Sequence, residues 1–358
     1  MSKSILFSFE LEPGMITAED VYTVTGQLLV PENTLLDSSS IHKLKMYNVS
    51  TVAILDPVID EPILNAHATY SQRIQSTEEF QEFKENYLEK IDDFHDTIND
   101  IVTKNAPLNP SDLLVHTAKL LDSSTTSIHI FDMLHNMREF DDSTFTHCLN
   151  VALICRVFGK WLNMPNEDLD ILTLCGLLHD IGKLTTPEEI LTKPGKLTNA
   201  EYQVMKNHVN NGYAYLKTQA IDPRIKEACL FHHERCDGSG YPFGLTGDKI
   251  PEFAQIVAIA DVYDAMTARR VYRGPMCPFT VIKYIEDEGY NKYHPRFLLT
   301  FLENVVSSYI HTTVLLNNGL TGEVVLINRH ALSRPMIQCG EEFIDLAKNP
   351  ELKIEAII

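Results

Sequence analysis

Five histidines and two aspartates, His147, His179, Asp180, His208, His232, His233 and Asp261, each flank or interrupt an apolar segment of the chain. Leu177-Leu178-His179-Asp180-Ile181-Gly182-Lys183 sets an imidazole beside a carboxylate at the end of an apolar helical pattern. Burying such a carboxylate is costly unless something offsets the lost hydration, and a metal ion does so well. One His-Asp pair alone is also what an ordinary core can hold. Here the pair has company. His147 stands where an apolar helix begins, His208 follows Lys206-Asn207, His232-His233-Glu234 follows Leu230-Phe231, and Asp261 ends Ile256-Val257-Ala258-Ile259-Ala260. Imidazole and carboxylate together suit iron, manganese or zinc, and a set without cysteine is unlike a structural zinc site. Seven ligands exceed one ion's need. They suit two ions bridged by a carboxylate and a water or hydroxide.

The elements that must position these residues are helices. From about Asp112 to Tyr309 the pattern runs helix after helix, with expected segments Thr146–Leu162, Glu167–His179, Asn199–Lys217 and Phe253–Tyr272. Ahead of this block, residues 3–56 mix short strand-like runs (Ile5–Glu10, Gln27–Val30, Thr51–Leu55) with one helical pattern at Ser39–Met46. Ala66 to Asp100 turns helical and acidic. Residues 71–100 hold three basic and nine acidic side chains, a balance of −6, while Phe80, Phe83, Tyr87, Ile91 and Phe94 form one apolar stripe. This is expected to be a solvated connecting helix, able to pair with a second copy or dock a partner. After the helical block, Thr313–Leu316, the turn Asn317-Asn318-Gly319 and Gly322–Ile327 predict a hairpin, with Pro335–Cys339 as a third run. The expected fold class is therefore mainly α. It comprises a β-rich module at 1–60, an acidic helical linker at 61–111, an all-helical bundle at 112–310 and a short β extension at 311–358.

The 358 residues are 44% hydrophobic and 22% charged, which is ample for a full core and unlike a disordered or disulfide-stapled chain. The net charge of −19 speaks against a nucleic-acid polymer or an anionic membrane as partner. Between Glu234 and Arg273, however, five basic residues stand against six acidic ones, so a compact anion is permitted where a long polyanion is not. No apolar run approaches the roughly 20 residues of a spanning helix, and Ile5–Phe9 is cut off by Glu10 and Glu12, too short for a signal peptide. Seven cysteines without a C-x-x-C pair, Cys148, Cys155 and Cys175 among them, read as reduced core residues of a cytoplasmic protein.

The ordered set His147, His179-Asp180-x-x-Lys183, His208, His232-His233-Glu234-x-x-Asp237-Gly238-Ser239-Gly240-Tyr241-Pro242 and Asp261 resembles the HD-GYP family. These are metal-dependent phosphodiesterases of the HD superfamily that hydrolyse cyclic di-GMP in bacteria. The likeness covers about residues 123 to 310 and extends to Ala260-Asp261-Val262-Tyr263-Asp264-Ala265-Met266-Thr267 and Arg270-x-Tyr272-Arg273. The N-terminal module, with Leu11-Glu12-Pro13-Gly14-Met15, is similar to small domains found ahead of HD-GYP domains.

The resemblance implies one metal held by His147, His179, Asp180 and Asp261, and a second held by Asp180, His208, His232 and His233. Asp180 would bridge, since a carboxylate offers two oxygens where each imidazole offers one nitrogen. Lys183 is expected to hold a phosphate oxygen, or else to compensate a helix C-terminus. Tyr241 would stack on a guanine or bond to phosphate in a loop shaped by two glycines and Pro242, unless that loop is simply a tight turn. Arg270 and Arg273 would point back at the substrate phosphates. Asp264 would orient a ligand imidazole or accept a leaving-group proton. Two departures matter. Family members that hold a third metal place a Glu where this chain has Ser143, so two metals are expected, and the family's Phe-Asp-Pro reads Tyr293-His294-Pro295.

The activity implied is hydrolysis of a cyclic dinucleotide, cyclic di-GMP to linear pGpG with or without further cleavage to GMP, by hydroxide bridged between two divalent ions, iron or manganese. Alternatives are preference for cyclic GMP-AMP, and a non-catalytic cyclic di-GMP-sensing module. A homodimer, or a signalling protein engaged through the N-terminal module, are the macromolecular partners this allows.

Overall fold

A computed structural model describes residues 3–7, 11, 14–23, 28–31, 34–36, 38–47, 49, 51–55, 70–104, 106–122, 129–137, 144–193, 195–268 and 276–358. They fall into two units, Met1–Thr69 and Tyr70–Ile358. In the first, β1 (Lys3–Phe7), β2 (Val21–Tyr22), β3 (Leu28–Val30), α1 (Ser38–Met46) and β4 (Thr51–Leu55) follow one another. β1 pairs antiparallel with β4, and β2 with β3. Along β4 the alternation puts Val52 and Ile54 inside, where they meet Val30, Leu36, Ile41 and Leu44 in a small core.

The second unit opens with α2 (Tyr70–Gln75) and α3 (Glu78–Lys104). Here the expectation of a connecting linker gives way. Phe80, Phe83, Tyr87, Ile91, Phe94, Ile98 and Ile101 are buried in the main core of the helical unit, so α3 is one of its walls. Its acidic residues Glu82, Glu85, Glu89, Asp92 and Asp96 remain exposed on the opposite face. A periodic apolar stripe shows that a helix face will be covered, and does not say by what.

The bundle continues with α4 (Pro110–Asp122), α5 (His129–Met137), α6 (Thr144–Trp161) and α7 (Asn166–Leu178). A 3-10 turn, Ile181–Thr185, follows, and then α8 (Glu188–Leu191), α9 (Asn199–Lys206), α10 (His208–Leu216) and α11 (Pro223–Phe231), with a second 3-10 turn at Gly247–Lys249. Last come α12 (Glu252–Thr267), α13 (Pro278–Lys292) and α14 (Pro295–Ser307). The helix expected over Asn199–Lys217 is in fact two. Thr198 and Glu201 form a reciprocal capping box that starts α9, and the chain breaks at Asn207, so that His208 opens α10. α12 is buried from Phe253 through Asp261 and is apolar on all sides, as a central helix must be. Asp222 caps α11 through the N–H of Arg224, with Pro223 in the first helical turn.

Beyond the bundle the chain forms β5 (Thr313–Leu316), β6 (Thr321–Leu326), β7 (Met336–Cys339), β8 (Glu342–Asp345) and β9 (Ile354–Ile357). The predicted hairpin and third run are present, but two further strands complete a five-stranded antiparallel sheet, ordered β8-β7-β6-β5-β9. Val314, Leu316, Val324 and Ile337 bury one face in the same core as the helices. Glu286 of α13 ties the sheet down by accepting from the N–H groups of Leu332 and Ser333. All seven cysteines are free thiols, and Cys148, Cys155, Cys175 and Cys229 are buried. Among the described residues no helix is long and apolar enough to cross a membrane.

One close approach decides where the polar cluster can form. A Cβ on Gly182 would lie 1.9 Å from the carbonyl oxygen of His208 and 2.6 Å from the nitrogen of Gly212. Only a hydrogen at this position lets the turn after Asp180 rest on the start of α10. Gly182→Ala is therefore expected to cost at least about 2 kcal/mol, because backbone rather than a flexible side chain must move. Urea unfolding of the variant checks this, and an unchanged midpoint would show that turn and helix separate freely.

Candidate metal centre

Each polar residue of the cluster sits where its helix starts, stops or crosses the middle of the core. His147 lies in the first turn of α6, and His179 and Asp180 follow the last residue of α7. His208 opens α10, and His232 and His233 lie just past the end of α11. α12 delivers Asp261 and Asp264 one turn apart from its buried length. His179, Asp180, His208 and His232 are at most 1% exposed. Groups this polar are found so deep only when something compensates them.

The seven residues converge as two sets. Asp180, His208, His232 and His233 form one, and His147, His179 and Asp261 the other, with the donor atoms of each set within 4.8 Å of one another. Asp180 faces both. Its Oδ1 lies 3.2 Å from His208 Nε2 and 3.8 Å from His232 Nε2. Its Oδ2 lies 3.3 Å from His179 Nε2 and 3.6 Å from His147 Nε2. Asp261 closes the second set, with Oδ1 3.1 Å from His147 Nε2, and approaches His233 Nδ1 at 3.9 Å through its other oxygen.

The outer nitrogens are fixed from behind. His179 Nδ1 is 2.7 Å from the carbonyl of Gly176, His208 Nδ1 2.7 Å from that of Met205, and His232 Nδ1 3.0 Å from that of Cys229. A carbonyl only accepts, so each of these Nδ1 atoms donates a hydrogen, and in the neutral ring it is Nε2 that offers its lone pair inward. His147 is held instead by a side chain, with Nδ1 2.7 Å from Asp264 Oδ2.

Both oxygens of Asp180 and the Nε2 atoms of His179, His208 and His232 are buried without an aligned hydrogen-bond partner. An unsatisfied buried polar atom costs roughly 1–3 kcal/mol; the Lys183 ammonium meets Asp180 Oδ2, and the other four, aimed at one centre, are what divalent cations would resolve. The donor chemistry fits such ions, being nitrogen and carboxylate oxygen with no thiolate. Burial alone would push Asp180 toward its neutral form, but Lys183 and His179 outweigh it and hold the carboxyl well below its usual range. Asp261 is lowered likewise, burial being overcome by His147 and His233. Burial pushes His232 well down and His233 to about 3, keeping both rings neutral as ligands must be. At His147 burial is overcome by hydrogen bonds to Asp261 and Asp264, and the ring holds its proton up to about 9. A cation bound there takes that proton's place.

The remaining candidates divide. The ammonium of Lys183 lies directly against Asp180 Oδ2, so it is engaged with the carboxylate rather than free in the mouth. Tyr241 stacks on His233, with ring centroids 4.6 Å apart and planes 28° from parallel. Asp264 is separated from the centre by the ring of His147, which suits orientation of that ring better than proton acceptance at the reacting atoms. Arg270, Arg273 and Ser143 lie outside the described residues. His294 caps α14, accepting from the N–H of Arg296, and so belongs to the helix start rather than to the cluster.

One residue was given no role from sequence. Glu234, 2% exposed, accepts from the N–H groups of Phe243 and Leu245, each at 2.8 Å. Its carboxylate pins the loop that carries Tyr241. A Cβ on Gly240 would come within 2.4 Å of Glu234 Cα, so the loop folds directly onto its own anchor. The available signal was an acidic residue placed between a buried His pair and a glycine-rich turn. Replacing Glu234 by Ala removes two acceptors at about 1–3 kcal/mol of desolvation each. The amides of Phe243 and Leu245 should then exchange with solvent at least about tenfold faster. Unaltered exchange there would mean that the loop holds its shape without the carboxylate.

Comparison with known proteins places these residues in a family. The chain is 31% identical over 229 residues to cyclic di-GMP phosphodiesterase PA4108 of Pseudomonas aeruginosa, covering 62% of this chain and 55% of that protein. It is 44% identical over 145 residues to 3'3'-cGAMP-specific phosphodiesterase 1 of Vibrio cholerae, covering 40% and 34%. With a cyclic di-GMP phosphodiesterase of Thermotoga maritima it shares 35% over 179 residues, 49% of this chain and 48% of that one. The chain thus spans only 34% to 55% of the length of these relatives. Residues 110–297, more than half of the chain, match the HD domain family, and the chain belongs to that family.

Proposed function

We propose that the chain is a metal-dependent phosphodiesterase that opens a cyclic dinucleotide, with two divalent ions, iron or manganese, held per chain. The observation that carries this is the division of Asp180. One carboxylate oxygen serves each set of imidazoles, and the atoms left unsatisfied are those facing inward. His147, His179, Asp261 and Asp180 Oδ2 would hold one ion, and His208, His232, His233 and Asp180 Oδ1 the other. When bound, such a pair makes a water nucleophilic near neutral pH and offsets the negative charge that builds on phosphorus.

The chain's own residues supply the rest. The carbonyls of Gly176, Met205 and Cys229 fix three ring tautomers, and Asp264 fixes the fourth. Lys183 keeps Asp180 anionic. Tyr241, held over His233 by the loop on Glu234, walls one side of the centre and offers a ring for a base. HD-domain membership and relatives named for cyclic di-GMP and 3'3'-cGAMP support this substrate class. The relative named for 3'3'-cGAMP favours a second reading within it, preference for cyclic GMP-AMP.

Turnover of cyclic di-GMP and 3'3'-cGAMP on anaerobically prepared protein, supplied with iron or manganese, tests the proposal. Product should form from at least one, with about two metal equivalents per chain. Binding without product would point to a sensor, and three tightly held equivalents would overturn the count. Asp180→Ala should abolish turnover, and full activity in that variant would refute the mechanism. Asp264→Asn leaves the His147 ring without its carboxylate and should lose about 10- to 100-fold in metal affinity or activity. Wild-type values would deny Asp264 its orienting role.

A further inference from the structure

We infer that Lys206 is a substrate-binding residue, its ammonium taking the phosphate of a cyclic dinucleotide that does not react. This deepens the proposed function and rests on it. A cyclic dinucleotide carries two phosphodiesters in one ring, so when one sits at the metal ligands the other is held close by and needs its own counter-charge. Lys183 is poorly placed to give it, because its ammonium lies against Asp180. Arg235 is engaged as well, donating to the carbonyls of His232 and Glu234 and lying over the ring of Tyr293.

Lys206 differs. It is the last residue of α9, two positions before His208, and half-buried. Among the described residues no carboxylate pairs with it. Its Nζ lies 5.1 Å from the ring centroid of Tyr202 and 5.6 Å from that of Tyr241. Tyr241 in turn stacks on the ligand His233, so His233, Tyr241, Lys206 and Tyr202 form one continuous wall running outward from the metal ligands. Tyr202 at its outer end is 48% exposed. Two ring faces hold an ammonium in place but attract it more weakly than an anion does, leaving the charge available to a phosphate oxygen. A lysine acts on phosphate as a point charge, without the fixed fork of an arginine.

The test is steady-state kinetics of Lys206→Met and Lys206→Arg on cyclic di-GMP and 3'3'-cGAMP, with metal content and thermal stability measured on the same preparations. Lys206→Met should raise KM for whichever cyclic dinucleotides the wild type turns over by at least about tenfold, equally where both are substrates, with kcat and metal content moved far less. It should also flatten the dependence of KM on salt. Lys206→Arg, which keeps the charge, should stay near wild type. An unchanged KM in Lys206→Met, or a shift in thermal stability alone, would overturn the assignment in favour of a helix-end lysine. A rise confined to cyclic di-GMP when both are substrates would overturn it in favour of contact with a guanine edge. A wild type that turns over neither compound would sink the proposed function itself, and this assignment with it.

Discussion

A carboxylate with 1% exposure sits at the centre of the helical unit, and the surrounding structure has to balance it. Asp180 cannot be left alone there, since an uncompensated buried charge would cost more than the rest of a marginally stable fold could absorb. Lys183 compensates one oxygen, and imidazoles from four helices gather around both. The geometry that permits this is narrow. The turn after Asp180 must touch α10, α11 must end where it does, and α12 must run through the middle of the core carrying carboxylates of its own.

Charge is organised on two scales. Over the whole chain the excess is acidic, −19, and much of it is displayed on the outer face of α3, away from the buried cluster. Around Asp180 the acids are few, buried and each assigned a partner. Asp261 meets His147, Asp264 meets the same ring from behind, and Glu234 is satisfied by backbone. The acidity of the surface and the anion-directed chemistry of the interior therefore do not conflict, because short-range contacts in a low-dielectric site outweigh distant screened charges.

Much of this was legible in the sequence, for physical reasons that differ from residue to residue. His179-Asp180 and His232-His233 stood out because such groups rarely interrupt apolar runs without compensation, and the structure brings them together with His147, His208 and Asp261. The resemblance implies a bridging role for Asp180, and its two oxygens face different sets of imidazoles. The break at Asn207 was not legible, because apolar periodicity runs on across a polar residue that a helix tolerates. Nor was the anchoring by Glu234, since its acceptors' partners lie nine and eleven residues onward, along a path only the folded loop defines. α3 showed the same stripe whether packed or free. β8 and β9 escaped notice because segments such as Glu342–Asp345 mix charge with apolar residues at a sheet edge.

Three of the rings owe their orientation to carbonyls three residues behind them, those of Gly176, Met205 and Cys229. A main-chain carbonyl is present whatever residue the gene specifies. These rings therefore carry their own alignment with them, and substitution of nearby side chains can reshape the surroundings without turning a lone pair aside. His147 is aligned instead by a side chain from another helix, and His233 lies against the ring of Tyr241. The cluster thus combines a part that sequence drift cannot easily reach with rings, His147 among them, that one nucleotide change suffices to unfasten.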